Sequence, residues 1–200
     1  MEKFIFEQSN FIPHEICQKI IRLFESSNSI INGTIEYTFD TKTKTKHTRE
    51  KHNKEAPLEV LSKEIDDTIH NYVKEAVKLY EEYIHETTNF LEEYHPLDRL
   101  LAYKTIRDIG YCVQKISKGG KYEWHSDGLP GDNLYVQVII YLNTMNVQDG
   151  GYTELINGRK FKPESGKIVI FPCCWTTIHR GCEVKNGSKY IVTTAVTADY

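Results

Sequence analysis

The chain has 200 residues and a mass of 23.3 kDa, the size of one domain able to bury about 70% of its unfolded surface. Hydrophobic residues make up 40% and charged residues 26%; 25 Lys and Arg stand against 28 Asp and Glu, for a net charge of −3. That balance argues against a basic nucleic-acid module, no apolar run approaches bilayer length, and the acidic start through Gln8 does not read as a signal peptide, so a cytoplasmic location is expected.

Phe4 to Phe11 reads as a short strand entering a turn. Pro13 sits where a first helical turn tolerates proline, and Ile16, Ile20, Ile21, Leu23 and Phe24 predict an amphipathic helix over 14–27. Residues 39–55 are polar, with Thr and Lys alternating. They read as an exposed loop or an edge strand protected by lysine, with a lid over an acidic partner as the functional alternative. Leu58, Leu61, Ile65, Ile69, Val73, Val77, Tyr80 and Ile84 then recur at three- and four-residue steps, predicting a helix over about 57–90, closed by His95 and Pro96.

From residue 100 the period changes to two. Strands are expected from Leu101, Tyr111, Tyr135, Lys167 and Lys189 onward, separated by glycine turns. Of 12 glycines, 11 lie in this half; of 19 glutamates, 15 lie in the first. The chain therefore reads as α+β: a helical support region over 1–100 and a β core over 101–200, a sandwich or barrel such as a jelly roll. The five cysteines are odd in number and lack Cys-x-x-Cys spacing, so they read as free thiols in a reducing compartment.

The chemistry concentrates in the second half. His125 and Asp127 lie two apart, so at a strand end both point to one side and can meet one metal ion. His179 is the other histidine of the β half and the third candidate ligand. Two histidines and a carboxylate favour non-haem Fe(II), because they leave coordination positions open. Read alone, either histidine is equally a polar residue beside a turn. Lys189 opens an apolar strand; inside a barrel it needs an anionic partner, while at a strand edge it is merely solvated. Ile191 and Thr193 share its face, and Tyr141 lies on the face of Tyr135, Gln137 and Ile139.

Residues 111–200 resemble the catalytic domain of prolyl 4-hydroxylase-type Fe(II)/2-oxoglutarate dioxygenases. The pieces are Gly119-Gly120, Tyr122 and His125-Ser-Asp127; Tyr141-Leu-Asn with Gly150-Gly-Tyr-Thr; Pro163-Glu-Ser-Gly166 with Phe171-Pro; and His179-Arg-Gly followed by Lys189 ten positions later. Asn10-Phe-Ile-Pro-His also resembles the family's lead-in to its first helix. The resemblance implies a double-stranded β-helix with N-terminal helices packed on one sheet, and a single dioxygenase domain over 1–200. It implies Fe(II) on His125, Asp127 and His179, and 2-oxoglutarate on Lys189 with Tyr141 and Thr193; it admits ascorbate beside them. It implies O2 as co-substrate and oxidative decarboxylation coupled to hydroxylation of a prolyl residue in a peptide or protein; the alternative is a metal-binding module that recognises a peptide without turnover. The tyrosine that usually contacts the co-substrate before the glycine turn is replaced here by Lys115 and Ile116, with Tyr111 or Tyr122 as substitutes. Trp175, Arg180 and Tyr122 are candidates for the substrate mouth, or else packing and surface residues; Trp124 alternates away from His125.

Overall fold

Pro13 starts the first helix, α1 (His14–Ser26), whose Cys17, Ile20 and Phe24 are fully buried at helical spacing. The computed structural model describes residues 2–40, 45–87, 106–128 and 133–198, with the backbone alone for 34–40, 45–51, 106 and 198. The stripe expected over 57–90 forms as two helices, α2 (Leu58–Leu61) and α3 (Lys63–Thr87). Ser62 breaks it: its backbone is extended (φ −168°, ψ 115°), and its hydroxyl accepts from the Ile65 amide at 3.4 Å. Ile65, Ile69, Val73, Ala76, Val77, Tyr80 and Ile84 then form one buried face of α3. Residues 88–90, the expected close at His95 and Pro96, and most of the strand expected from Leu101 lie outside the described residues.

The larger sheet contains β1 (Phe6–Gln8), β2 (Ile31–Asp40), β3 (Thr45–Pro57), β4 (Ile106–Asp108), β5 (Cys112–Ser117), β7 (Leu134–Tyr141), β10 (Ile168–Pro172) and β12 (Ser188–Ala198). Its order is β1-β10-β7-β12-β5-β3-β2, with β4 also on β12. The smaller sheet contains β6 (Tyr122–His125), β8 (Thr153–Leu155), β9 (Lys160–Phe161) and β11 (His179–Gly181), in the order β6-β11-β8-β9. All pairings among the described strands are antiparallel.

Strand alternation splits the core in two. Val113, Val136, Val138, Ile140, Ile168, Ile170, Val192 and Val196 face the helices and join Phe24, Ile69 and Val73 in one cluster. Ile139, Tyr141, Val169, Phe171 and Ile191 face the other way and meet Leu155 and Phe161 of the smaller sheet. Each fully buried aliphatic or aromatic side chain contributes about 1.5–3 kcal/mol. This is the expected α+β double-stranded β-helix with helices on one sheet.

The segment 39–55 needs correction. Most of it is strand β3, which lies inside the sheet between β2 and β5, and β2 forms the outer edge. Lysine alternation does not mark an edge here, because the preceding segment 31–40, not anticipated as a strand, supplies the pairing. Tyr135 also departs from its expected face: a register shift at Val196–Thr197 skips it, and it packs on the helix-side cluster.

Candidate metal centre

His125 ends β6, Asp127 follows two positions on, and His179 opens β11. β11 pairs with β6 so that His179 stands opposite His125, their rings 4.2 Å apart. His125 Nε2 lies 3.4 Å from Asp127 Oδ1, and His179 Nε2 lies 3.5 Å from Asp127 Oδ2. The potential ligand atoms of all three residues fall within 4.8 Å of one another.

Each ring nitrogen has a separate task. Each Nδ1 faces the carbonyl two residues upstream, His125 that of Glu123 at 2.8 Å and His179 that of Thr177 at 3.2 Å. Donation of Nδ1–H to these carbonyls leaves the Nε2 lone pairs aimed at the shared carboxylate. Burial pulls His179 down to about 4, so its ring is neutral at pH 7 and keeps that lone pair. Tyr122 stacks on His125 with centroids 3.8 Å apart, and Phe171 meets His179 edge-on at 4.9 Å. Burial raises the Tyr122 phenol to about 12, so it stays protonated.

Tyr122, His125, Asp127 and His179 line a cavity of about 970 Å³. Lys189, 3% exposed, lines it too, with Ile191 and Thr193 on the same face of β12. Among the described residues no carboxylate pairs with the Lys189 ammonium, and burial pulls it down to about 8. Gly151, at φ 74°, passes beside the Lys189 stem: a Cβ there would lie 3.0 Å from Met145 Sδ and 3.6 Å from Lys189 Cδ.

The remaining candidates divide. Thr193 Oγ1 accepts from Gln114 Nε2 at 3.0 Å, and Gln114 in turn accepts from Asn53 Nδ2 at 3.0 Å. Gly33, alone among the first hundred residues, makes room for this chain, because a Cβ on it would collide with Asn53 Oδ1. Tyr141 is fully buried and donates to Thr153 Oγ1 at 2.7 Å; Thr153, and not Tyr141, lines the cavity. Lys115 faces α1, where it pairs with Glu25 at 2.8 Å, and Ile116 faces the cavity. Tyr111 lines the outer cavity and donates to Asp108, which also binds His70 Nδ1 at 2.7 Å. Trp175 (79% exposed) and Arg180 are not among the lining residues. Arg180 alternates outward from His179, pairs with Glu154 at 2.6 Å and stacks over Trp124 at 4.7 Å. Gln114, His70 and Asp108 carry no motif, and only the fold places them at the cavity wall, with Asn53 behind Gln114.

Residues 111–196 match the model of the 2OG-Fe(II) oxygenase superfamily. Over this segment the chain resembles a 2OG-Fe(II) oxygenase domain. That match implies Fe(II), 2-oxoglutarate and O2, and the two-histidine, one-carboxylate cluster and the buried lysine, unpaired among the described residues, suit those groups. No curated protein matches the chain. In fold the chain is similar to a viral collagen prolyl hydroxylase from Paramecium Bursaria Chlorella virus-1 in complex with 2OG (TM-score 0.63, 15% identity, covering 98% of this chain and 97% of that one). It is also similar to a Trichoplax adhaerens prolyl hydroxylase in complex with a hypoxia inducible factor peptide (TM-score 0.68, 19% identity, 98% and 84% covered). A Pseudomonas putida prolyl-4-hydroxylase is similar too (TM-score 0.67, 15% identity, 98% and 92% covered). At these identities the likeness establishes the fold. Among the described residues no helix is long and apolar enough to cross a membrane.

Proposed function

We propose that this chain hydroxylates prolyl residues of a peptide or protein, with residues 1–200 forming one dioxygenase domain. In this reading His125, Asp127 and His179 hold Fe(II). Lys189 takes the far carboxylate of 2-oxoglutarate, assisted by Thr193, with Tyr141 supporting that wall through Thr153. The observation that carries the reading is the convergence of two imidazole nitrogens and a carboxylate on the cavity that holds a lysine without a carboxylate partner among the described residues. The first group suits a divalent cation, and the second suits a dianion.

When bound, Fe(II), 2-oxoglutarate and O2 supply the oxidising power that turns a C–H into C–OH while 2-oxoglutarate becomes succinate and CO2. The protein contributes geometry. The Glu123 and Thr177 carbonyls fix both imidazoles, the Tyr122 and Phe171 rings shield them from water, and Lys189 orients an anion. The prolyl assignment is supported by three prolyl hydroxylases of the same fold, one of them holding a peptide. A cavity of about 970 Å³ also leaves room for a peptide segment beside a small dicarboxylate.

The test is Asp127→Ala. Succinate formation from 2-oxoglutarate is expected to disappear while the circular dichroism spectrum stays that of the wild type. Undiminished succinate formation in this variant would sink the ligand assignment.

A further inference from the structure

Gln137 is the one buried amide on the cavity wall that the chemistry above leaves unused. It lies on β7 between Phe171 of β10 and Ala195 of β12, its direct register partners. Phe171 packs on His179, so Gln137 sits one strand from the metal cluster. Its residue is 9% exposed, it lines the cavity, and among the described residues its side chain makes no hydrogen bond. A primary amide that lines a cavity without a protein partner is left to hydrogen-bond what occupies the cavity. Its neighbours Leu134, Ile139 and Ala195 also line the cavity and are uncharged.

We infer that Gln137 is a substrate-binding residue that hydrogen-bonds a peptide group next to the hydroxylated residue. The inference rests on the hydroxylase reading above and assigns a residue to its peptide substrate. A primary amide offers both a donor and an acceptor without charge, which matches a peptide bond's N–H and C=O. A free amino acid would instead bring an ammonium and a carboxylate against Leu134, Ile139 and Ala195, which offer neither a counter-charge. Gln137 therefore selects residues within a chain over free amino acids.

The experiment compares the wild type with Gln137→Met, which keeps length and loses both hydrogen-bonding groups. The probes are N-acetylated, C-amidated five-residue peptides with a central proline, and free L-proline; hydroxylation is read by mass spectrometry. The wild type should hydroxylate a capped peptide in preference to free proline. Gln137→Met should raise the KM for that peptide about tenfold, with kcat and the KM for 2-oxoglutarate within twofold of wild type. An unchanged peptide KM overturns the inference and leaves the hydroxylase reading standing. Hydroxylation of free proline but not of capped peptides overturns the inference and the peptide substrate of the proposed function, and leaves a proline hydroxylase. Consumption of 2-oxoglutarate with no probe hydroxylated overturns the prolyl reading and the inference together.

Discussion

Replacing Lys189 with methionine separates what the lysine costs the fold from what it gives the site. Lys189 is 3% exposed and has no carboxylate partner among the described residues; burial pulls its ammonium from 10.5 down to about 8. Keeping it charged at pH 7 therefore costs the cofactor-free protein about 3 kcal/mol. Lys189→Met keeps the stem and removes the charge, so the cofactor-free variant should be more stable by up to about 3 kcal/mol, several degrees in melting temperature. The sign follows from proton linkage: between pH 8 and 10.5 the unfolded lysine binds more protons than the folded one. Wild-type stability thus rises relative to the variant across that window, and the gap is widest below pH 8. The same variant loses the counter-charge for 2-oxoglutarate, and its KM should rise a hundredfold or more, about 3 kcal/mol. For the wild type, 2-oxoglutarate affinity should fall as pH rises above about 8, where the empty site's ammonium loses its proton. Denaturant melts at pH 7 and pH 10, with a 2-oxoglutarate titration at each, read both effects. A variant that is less stable at pH 7, or that retains the wild-type KM, would refute the reasoning.

Tyr122→Ala removes the ring stacked on His125 and should weaken Fe(II) binding about tenfold in an anaerobic titration, whereas Tyr122→Phe should bind as the wild type does. Gly151→Ala places a Cβ against Met145 at a φ of 74°, and should destabilise the fold by about 1–3 kcal/mol in urea melts while raising the KM for 2-oxoglutarate.

The β core was legible because its strands obey one rule: residues such as Val136, Val138 and Ile140 face the helices while Ile139 and Tyr141 face the smaller sheet. The same rule made His125 and Asp127 a pair worth matching with His179, and the three do converge. The β2–β3 hairpin was not legible, because an alternation of threonine with lysine offers no apolar face; its pairing depends on partner strands and not on its own pattern. The cavity's outer wall was equally hidden. His70 on α3 meets Asp108 on β4 across 38 residues, and Asn53 meets Gln114 across 61. Single polar residues carry no periodicity, so only the assembled sheet reveals them. Arg180 shows the converse: adjacency to His179 in sequence suggested the substrate mouth, yet one step along a strand turns a side chain to the opposite face, where Glu154 holds it.

The most direct test of the central claim follows oxygen atoms. Purified protein with Fe(II), 2-oxoglutarate and a capped proline peptide is allowed to react under heavy oxygen gas (18O2), and both products are weighed by mass spectrometry. Coupled oxidative decarboxylation places one heavy atom in succinate and one in the hydroxylated peptide, in equal amounts, and Asp127→Ala yields neither. A peptide that gains oxygen from water alone, or heavy succinate formed equally well by Asp127→Ala, would contradict the account.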